Sequence, residues 1–424
     1  MVFKFKTLSV GLLAAAITFS SCASVNDGGP QAMVHEFPVI ADSEPVAKAV
    51  RFVEASPQSA DGYTKLAAAY INAARRTGNF YLNAEARLAV AKALELSPDD
   101  PMARRLKASL HLTYHEFAEG LKLGEELYAE APDAFSMGVI TDAHTQLGNY
   151  PQAVEWAQKL VDAKPNSSSY ARAALLRATY GDTDGAANLY KLSARTADPA
   201  DREAQSWSLS QLGDLYWRNG RYDEAERVYD EALSLTANYN LAMLGKGRTR
   251  AAKGDLDAAA GLVSGALERS PHTSYAIILG DIKRKQGNDL AAQQLYQLAD
   301  NADILGDLHD AHRVALMWAD HDLNLDQALS IAEADYAGIK DIYAADILGW
   351  CLYKKGRFAE AQAKSREALR LNTKDAVLLY HAGMIENALG NRSDAKKLLK
   401  RALDLNPAFD LLQAEIARKA LAAA

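Results

Sequence analysis

His111 and His115 stand one helical turn apart with Glu116 beside them, a set of donors that could hold a metal ion. His309, Asp310, His312, Asp320, His321 and Asp322 form the densest cluster of such donors in the chain. Asp182 with Asp184, and Asp255 with Asp257, are spaced like the first oxygen ligands of a calcium loop. Gly245-Lys246-Gly247-Arg248 has the glycines and cation that a phosphate cradle would use. Each has a plainer reading. The histidine pair lacks the zinc-protease order, and His111 falls in the helix-packing slot that Tyr216 fills elsewhere. The cluster from His309 to Asp322 reads as a solvated face, and the aspartate pairs, which lack the remaining ligands, read as helix N-caps. The glycine run lacks its third glycine and a preceding strand. No P-loop, dinucleotide fingerprint, nucleophile elbow or Cys-x-x-Cys is present, and carboxylate pairs are too numerous to nominate a catalytic one. The sequence therefore predicts no enzyme, no catalytic residue, no metal and no cofactor.

Cys22 carries a different chemistry. Lys4 and Lys6 precede an apolar run from Leu8 to Phe19, the order of an export signal and too short to span a bilayer. Phe19-Ser20-Ser21-Cys22 is similar to a lipobox, in which small residues admit a signal peptidase and the cysteine thiol takes a diacylglyceryl group. Phe19 stands where leucine is usual, and Ser21-Cys22-Ala23 also satisfies the small-x-small rule of ordinary cleavage, so soluble secretion is the alternative. Residues 1–21 read as a signal peptide and 22–44 as a lipid-anchored tether with Gly28, Gly29, Pro30 and Pro38. Such a tether spans on the order of 25 Å. Cys351 is the only other cysteine and reads as a small core residue.

The remainder is built to bury a core. Of 424 residues 49% are hydrophobic, which excludes a disordered chain, and a net charge of −7 gives no general reason to seek nucleic acid or an anionic membrane, although a local basic patch stays possible. From about residue 45 every strong periodicity is helical, broken each dozen residues by Gly, Pro, Asn or Asp. Small residues repeat with it: Gly213, Gly220, Ala225 and Ala232 recur as Gly247, Gly254, Ala259 and Ala266, keeping offsets of 7, 12 and 19. The same set returns from Gly280, Gly349 and Gly383, and Leu316, Ala328 and Asp335 mark a degenerate copy. The first glycine lets two antiparallel helices approach, the second ends the first helix, and the alanines face the partner and the next unit. A unit exposes an apolar face alone, so units must stack.

This pattern resembles the tetratricopeptide repeat, whose consensus is met by Leu209, Leu212-Gly213, Tyr216, Ala225, Tyr229 and Ala232, with Pro271 and Pro407 closing later units. Weaker copies run upstream through Tyr63, Tyr70, Pro98, Pro132 and Pro165. The resemblance implies an all-α, right-handed solenoid of about ten helix-turn-helix units between residues 62 and 407, with capping helices near 45–55 and 409–422. Three blocks follow, at 45–199, 200–305 and 306–424. A lengthened loop is expected at 78–83, and a bend or soft joint at 193–206 and 301–310.

In this family the first helices line a concave groove. Carried onto this sequence, the groove positions are Trp207, Ser210, Asp214, Trp217 and Arg218 in one unit, Ile277, Asp281, Arg284 and Lys285 in another, then Tyr343, Asp346, Trp350, Tyr353 and Lys354, and finally Val377, Tyr380 and Met384. Aromatic anchors beside Arg and Lys suit protein binding, although the same rings could pack only between repeats. Ser210, Leu244 and Ile277 stand where a carboxylate clamp needs its first lysine, which argues against that ligand class. The expected function is a protein-binding scaffold or adaptor in a bacterial envelope, facing the periplasm, with no nucleic-acid partner. Its palmitate-type lipid would be its only membrane contact, and Ala23 in place of Asp favours the outer membrane. The alternative is a solute-binding or metal-dependent protein that uses the superhelix interior as a pocket.

Overall fold

The computed structural model describes residues 38, 43–79, 81–300 and 311–423. Among them are 22 helices and no strand. A cap, Glu44–Ala55, precedes unit one (Ala60–Thr77, Leu82–Leu96), unit two (Pro101–Thr113, Phe117–Glu130), unit three (Ala134–Gln146, Tyr150–Ala163), unit four (Ser167–Thr179, Thr183–Thr196) and unit five (Arg202–Arg218, Tyr222–Leu235). Unit six (Asn240–Ala252, Leu256–Arg269), unit seven (Thr273–Lys285, Asp289–Asp300), unit eight (Ala311–Asp320, Leu325–Gly338), unit nine (Ile342–Lys354, Phe358–Ala368) and unit ten (Ala376–Ala388, Arg392–Leu405) follow, and Gln413–Ala423 closes the array. The degenerate copy predicted from Leu316 and Ala328 is unit eight. None of the described helices is long and apolar enough to cross a membrane.

The small residues sit where the helices cross. A Cβ on Gly213 would lie 2.5 Å from the Tyr229 ring, on Gly247 2.6 Å from Val263, and on Gly280 2.5 Å from Tyr296, so only glycine admits the second helix at that distance. Ala225, Ala232, Ala259, Ala266, Ala395 and Ala402 have no exposed surface. Seven residues after the crossing glycine, Gly220 and Gly254 take φ of 69° and 87°. The hydrogen bonds Gly220 N–H to Trp217 O and Arg221 N–H to Tyr216 O close a Schellman motif, and residues 250–255 repeat it. Asp182 and Asp255 cap the helices that follow, accepting from Gly185 N–H and Ala258 N–H as the capping reading expected.

The array coils back on itself. The hairpin loops of units one, three, four and five lie against loops that join units about 190 residues later: Gly78 against Ser270, Gly148 against Lys340, Gly181 against Asn372, and Gly220 against Leu405. Lys340 N–H donates to Gln146 O at 2.9 Å, Ile342 N–H to Tyr150 Oη at 3.0 Å, and Thr373 Oγ1 to Thr179 O. Tyr222 Oη donates to Asn406 Oδ1 and accepts from Ala408 N–H at 3.2 Å. Tyr150, Ala153, Ala157 and Leu176 bury against Ile342 and Leu378 along the same seam. The second coil therefore rests directly on the first.

One local expectation is corrected. Around residue 78 the added residues lengthen a helix, since Ala60–Thr77 runs 18 residues against 13 in the first helices of units two, three and four. At 193–206 the turn between repeats is residues 197–201, and Ser193 Oγ beside it bonds Ser208 Oγ at 2.8 Å and Ser167 O at 2.8 Å. Residues 301–310 lie outside the described residues.

Candidate partner-binding groove

The first helices of units four and five put Ser168, Leu175, Trp207 and Gln211 on the inner face of the first coil, and Asp142 adds the edge of unit three. Together with Arg75 from unit one they line an open cleft of about 650 Å³. Its cations are already held. Arg172 makes a two-pronged bond to Asp142 at 2.8 and 2.6 Å, and Arg75 meets Asp201 at 3.1 Å and Glu203 at 3.3 Å. The apolar members are not held: Trp207 is 37% exposed and Leu175 41%. The Gln211 side chain lines this cleft and makes no hydrogen bond to the other described residues, so its amide can offer a donor and an acceptor to an extended backbone. An exposed indole, an exposed leucine and a free amide in one concavity are what a peptide segment needs for anchoring.

The other expected groove residues lie elsewhere. Asp214 accepts from Tyr229 Oη at 2.5 Å and from Arg248, whose guanidinium also covers the Trp217 ring at 4.5 Å. Arg218 crosses the seam between coils to Tyr343 Oη at 3.0 Å and Asp375 at 3.4 Å. Arg284 meets His321 at 3.1 Å, and Lys285 holds Glu415 of the closing helix at 3.0 Å. Trp350 is 1% exposed, sandwiched between Tyr353 at 4.8 Å and His381 at 4.1 Å, with Lys354 at 5.0 Å from its ring. Tyr380 is equally enclosed: it packs on Phe409 at 5.2 Å and donates to Gln413 Oε1 at 2.8 Å. Among the aromatic residues expected to line the groove, only Trp207 opens on the cleft.

The cause is the segment 406–412, whose residues 409–412 are expected from the sequence to open the capping helix, although that helix begins only at Gln413. Asn406 Nδ2 donates to Trp217 O at 2.8 Å, Phe409 packs on the Tyr380 ring, and Leu411 packs against the buried cluster that includes Met243, Ala251 and Ile282. The chain thereby covers its own inner face from unit five to unit ten. What remains is a cavity of about 230 Å³ lined by Trp217, Arg248, Asp281, Asp320, His321 and Asp410. Burial, reinforced by Asp410 and opposed by His381, pushes the Asp320 carboxyl up to about 7. Burial and the nearby Asp281 likewise raise Asp410. Burial alone would lower His321 and His381, but Asp281 at 3.2 Å and Asp346 at 2.8 Å outweigh it and hold both rings above the ordinary histidine value.

The metal-donor motifs disperse. His111 Nδ1 is 2.6 Å from Glu116, which Arg87 also holds, and His115 stacks on Phe117 at 5.4 Å. Asp320 accepts from Trp350 Nε1, His321 faces Asp281, and Asp322 holds Lys354 at 2.8 Å. His309 and Asp310 lie outside the described residues. Among the described residues no group of three or more His, Cys, Asp or Glu side chains could hold a metal. Cys351 is buried, which pushes its thiol up to about 12, as befits a core residue. Cys22 lies outside the described residues.

Residues 210–274 and 376–409 each match the tetratricopeptide repeat family. No curated protein sequence matches the chain. Among solved structures it is similar to a chain of the APC/C hetero-tetramer Cut9–Hcn1, 15% identical over 89% of this chain and 92% of that one, with a TM-score of 0.34. It is also similar to human IFIT1, solved as a dimer with PPP-AAAA, 15% identical over 85% of this chain and 86% of that one, with a TM-score of 0.47.

Proposed function

We propose that this tetratricopeptide-repeat protein is a non-enzymatic scaffold of a bacterial cell envelope that holds an extended segment of a partner protein in the cleft around Trp207. The observation that carries the reading is the contrast along the inner face: units five to ten are closed by residues 406–412, whereas units three to five keep an open concavity with an exposed indole and leucine. Repeats of this family are protein-interaction modules, and their stacked helices offer such a surface without positioning any reactive group. The leader ending at Cys22 supports export and lipid anchoring facing the periplasm, and Ala23 supports the outer membrane.

The test is site-specific photocrosslinking in intact cells. A crosslinker at Gln211 is expected to capture a discrete partner, and one at Leu290, 68% exposed in the first turn of the helix Asp289–Asp300, is expected to capture none. Trp207→Ala should leave the fold intact and lower affinity for the captured partner by about 10- to 100-fold, the range of a central aromatic anchor. Equal capture at both positions would defeat the groove reading. The anchor is tested separately: radiolabelled palmitate should mark the wild-type chain and not Cys22→Ala.

A further inference from the structure

The second helix of unit ten, Arg392–Leu405, differs in charge from every other second helix. It carries Arg392, Lys396, Lys397, Lys400 and Arg401 against Asp394 and Asp404, whereas the other second helices are neutral or acidic, apart from a single net positive charge on Thr183–Thr196. All five cations are exposed. Lys397 meets Asp394 at 3.2 Å and Lys400 meets Asp404, both in open solvent, while Arg392, Lys396 and Arg401 form no ion pair with any of the described residues. The spacing is ordered. Arg392, Lys396 and Lys400 recur every four residues and so form one stripe, with Lys397 and Arg401 in a parallel stripe beside it. The stripes extend about 14 Å along the outside of the solenoid.

We propose that this outer face of unit ten is a contact site for a phospholipid surface of net negative charge. A folded protein partner would need an anchor, and this face has none: Ala395, Leu399 and Ala402 are buried, and Leu398 and Leu403 turn into the core of the last units. An array of headgroups needs no pocket and satisfies a flat row of long, flexible cations together. The site is independent of the cleft around Trp207 and of any lipid on Cys22.

Vesicle flotation of the full chain tests it, with vesicles of phosphatidylcholine alone and of phosphatidylcholine mixed with phosphatidylglycerol. The neutral vesicles report any binding through the N-terminal segment, and the site is read as the increment that the anionic lipid adds. That increment is expected to fall as salt rises. It should fall by about 100-fold in the triple variant Arg392→Ala, Lys396→Ala, Arg401→Ala, at about fivefold per cation. The variant Lys164→Ala, Lys191→Ala, Arg195→Ala makes the same change in net charge on another exposed face and should keep most of the increment. Circular dichroism verifies that both variants remain folded. Three results would overturn the proposal: no increment for the wild type, equal loss in both variants, or binding to polyglutamate with none to either vesicle.

Discussion

Four groups that hold protons more tightly in the folded chain than outside it converge on the interior of units seven to ten. Asp320 and Asp410 are raised by burial, and His321 and His381 are raised by Asp281 and Asp346 in spite of burial. A raised group stabilises the fold below its unfolded pKa, and that stability is lost as pH climbs through the folded pKa. The carboxyls therefore weaken the fold from about pH 4 upward, through about 7 for Asp320, and the histidines weaken it from about 6.5 upward. All four act in the same direction and outnumber His144, which burial lowers and which opposes them, so the chain should unfold at a higher temperature at pH 5 than at pH 8. Asp320→Asn should reduce the difference by about 1–2 kcal/mol, since an amide keeps an acceptor for Trp350 and cannot ionise. A flat or rising stability curve over that range would refute it. The sequence marks Asp320 and His321 as notable but places them on a solvated face, because their partners Trp350, His381 and Asp281 arrive from other units.

At the scale of the helix pair, most of the architecture was readable, because each requirement is local. A glycine needed for close approach and a glycine needed for positive φ stand seven residues apart in one hairpin, and both leave a direct mark on sequence. The groove was less readable. Whether Trp350 faces solvent depends on His381, thirty-one residues away, and whether Tyr380 does depends on Phe409 and Gln413 folding back across it. The seam between coils was not readable from periodicity, although Tyr150 and Tyr222 both stand two residues after a hairpin glycine and use their phenols to serve it. The corresponding residues after the uncovered glycines are Leu256, Asp289, Phe358 and Arg392. Tyr150→Phe should remove the acceptor of the buried Ile342 N–H and lower stability by about 1–3 kcal/mol, read from urea unfolding. Tyr180→Phe, at a ring 41% exposed, should change it by less than about 0.5 kcal/mol. Equal effects would mean that the phenol on the seam is dispensable.

At the scale of the molecule, the seam alters how the array should unfold. An open solenoid is held by nearest-neighbour interfaces alone, so damage to one unit spreads only along the chain. Here units three and nine also touch directly, and a fault in one should be felt in the other across about 190 residues of sequence. Two hairpin glycines isolate the effect. Gly148 and Gly356 have φ of 72° and 75°, so alanine at either carries the same backbone strain, about 1–2 kcal/mol. Only the surroundings differ: a Cβ on Gly148 would run into the backbone carbonyl of Lys340, and a Cβ on Gly356 would meet nothing within 4 Å. Gly356→Ala should thus cost the strain alone and speed amide exchange only around its own hairpin. Gly148→Ala should cost more, because the coils must part, and it should also speed exchange at residues 339–345 and 372–376, which are distant in sequence and joined to units three and four only through the seam. If the two variants match in stability and Gly148→Ala leaves exchange at 339–345 unchanged, the coils rest on each other without coupling, and nearest-neighbour stacking alone accounts for the stability of the array.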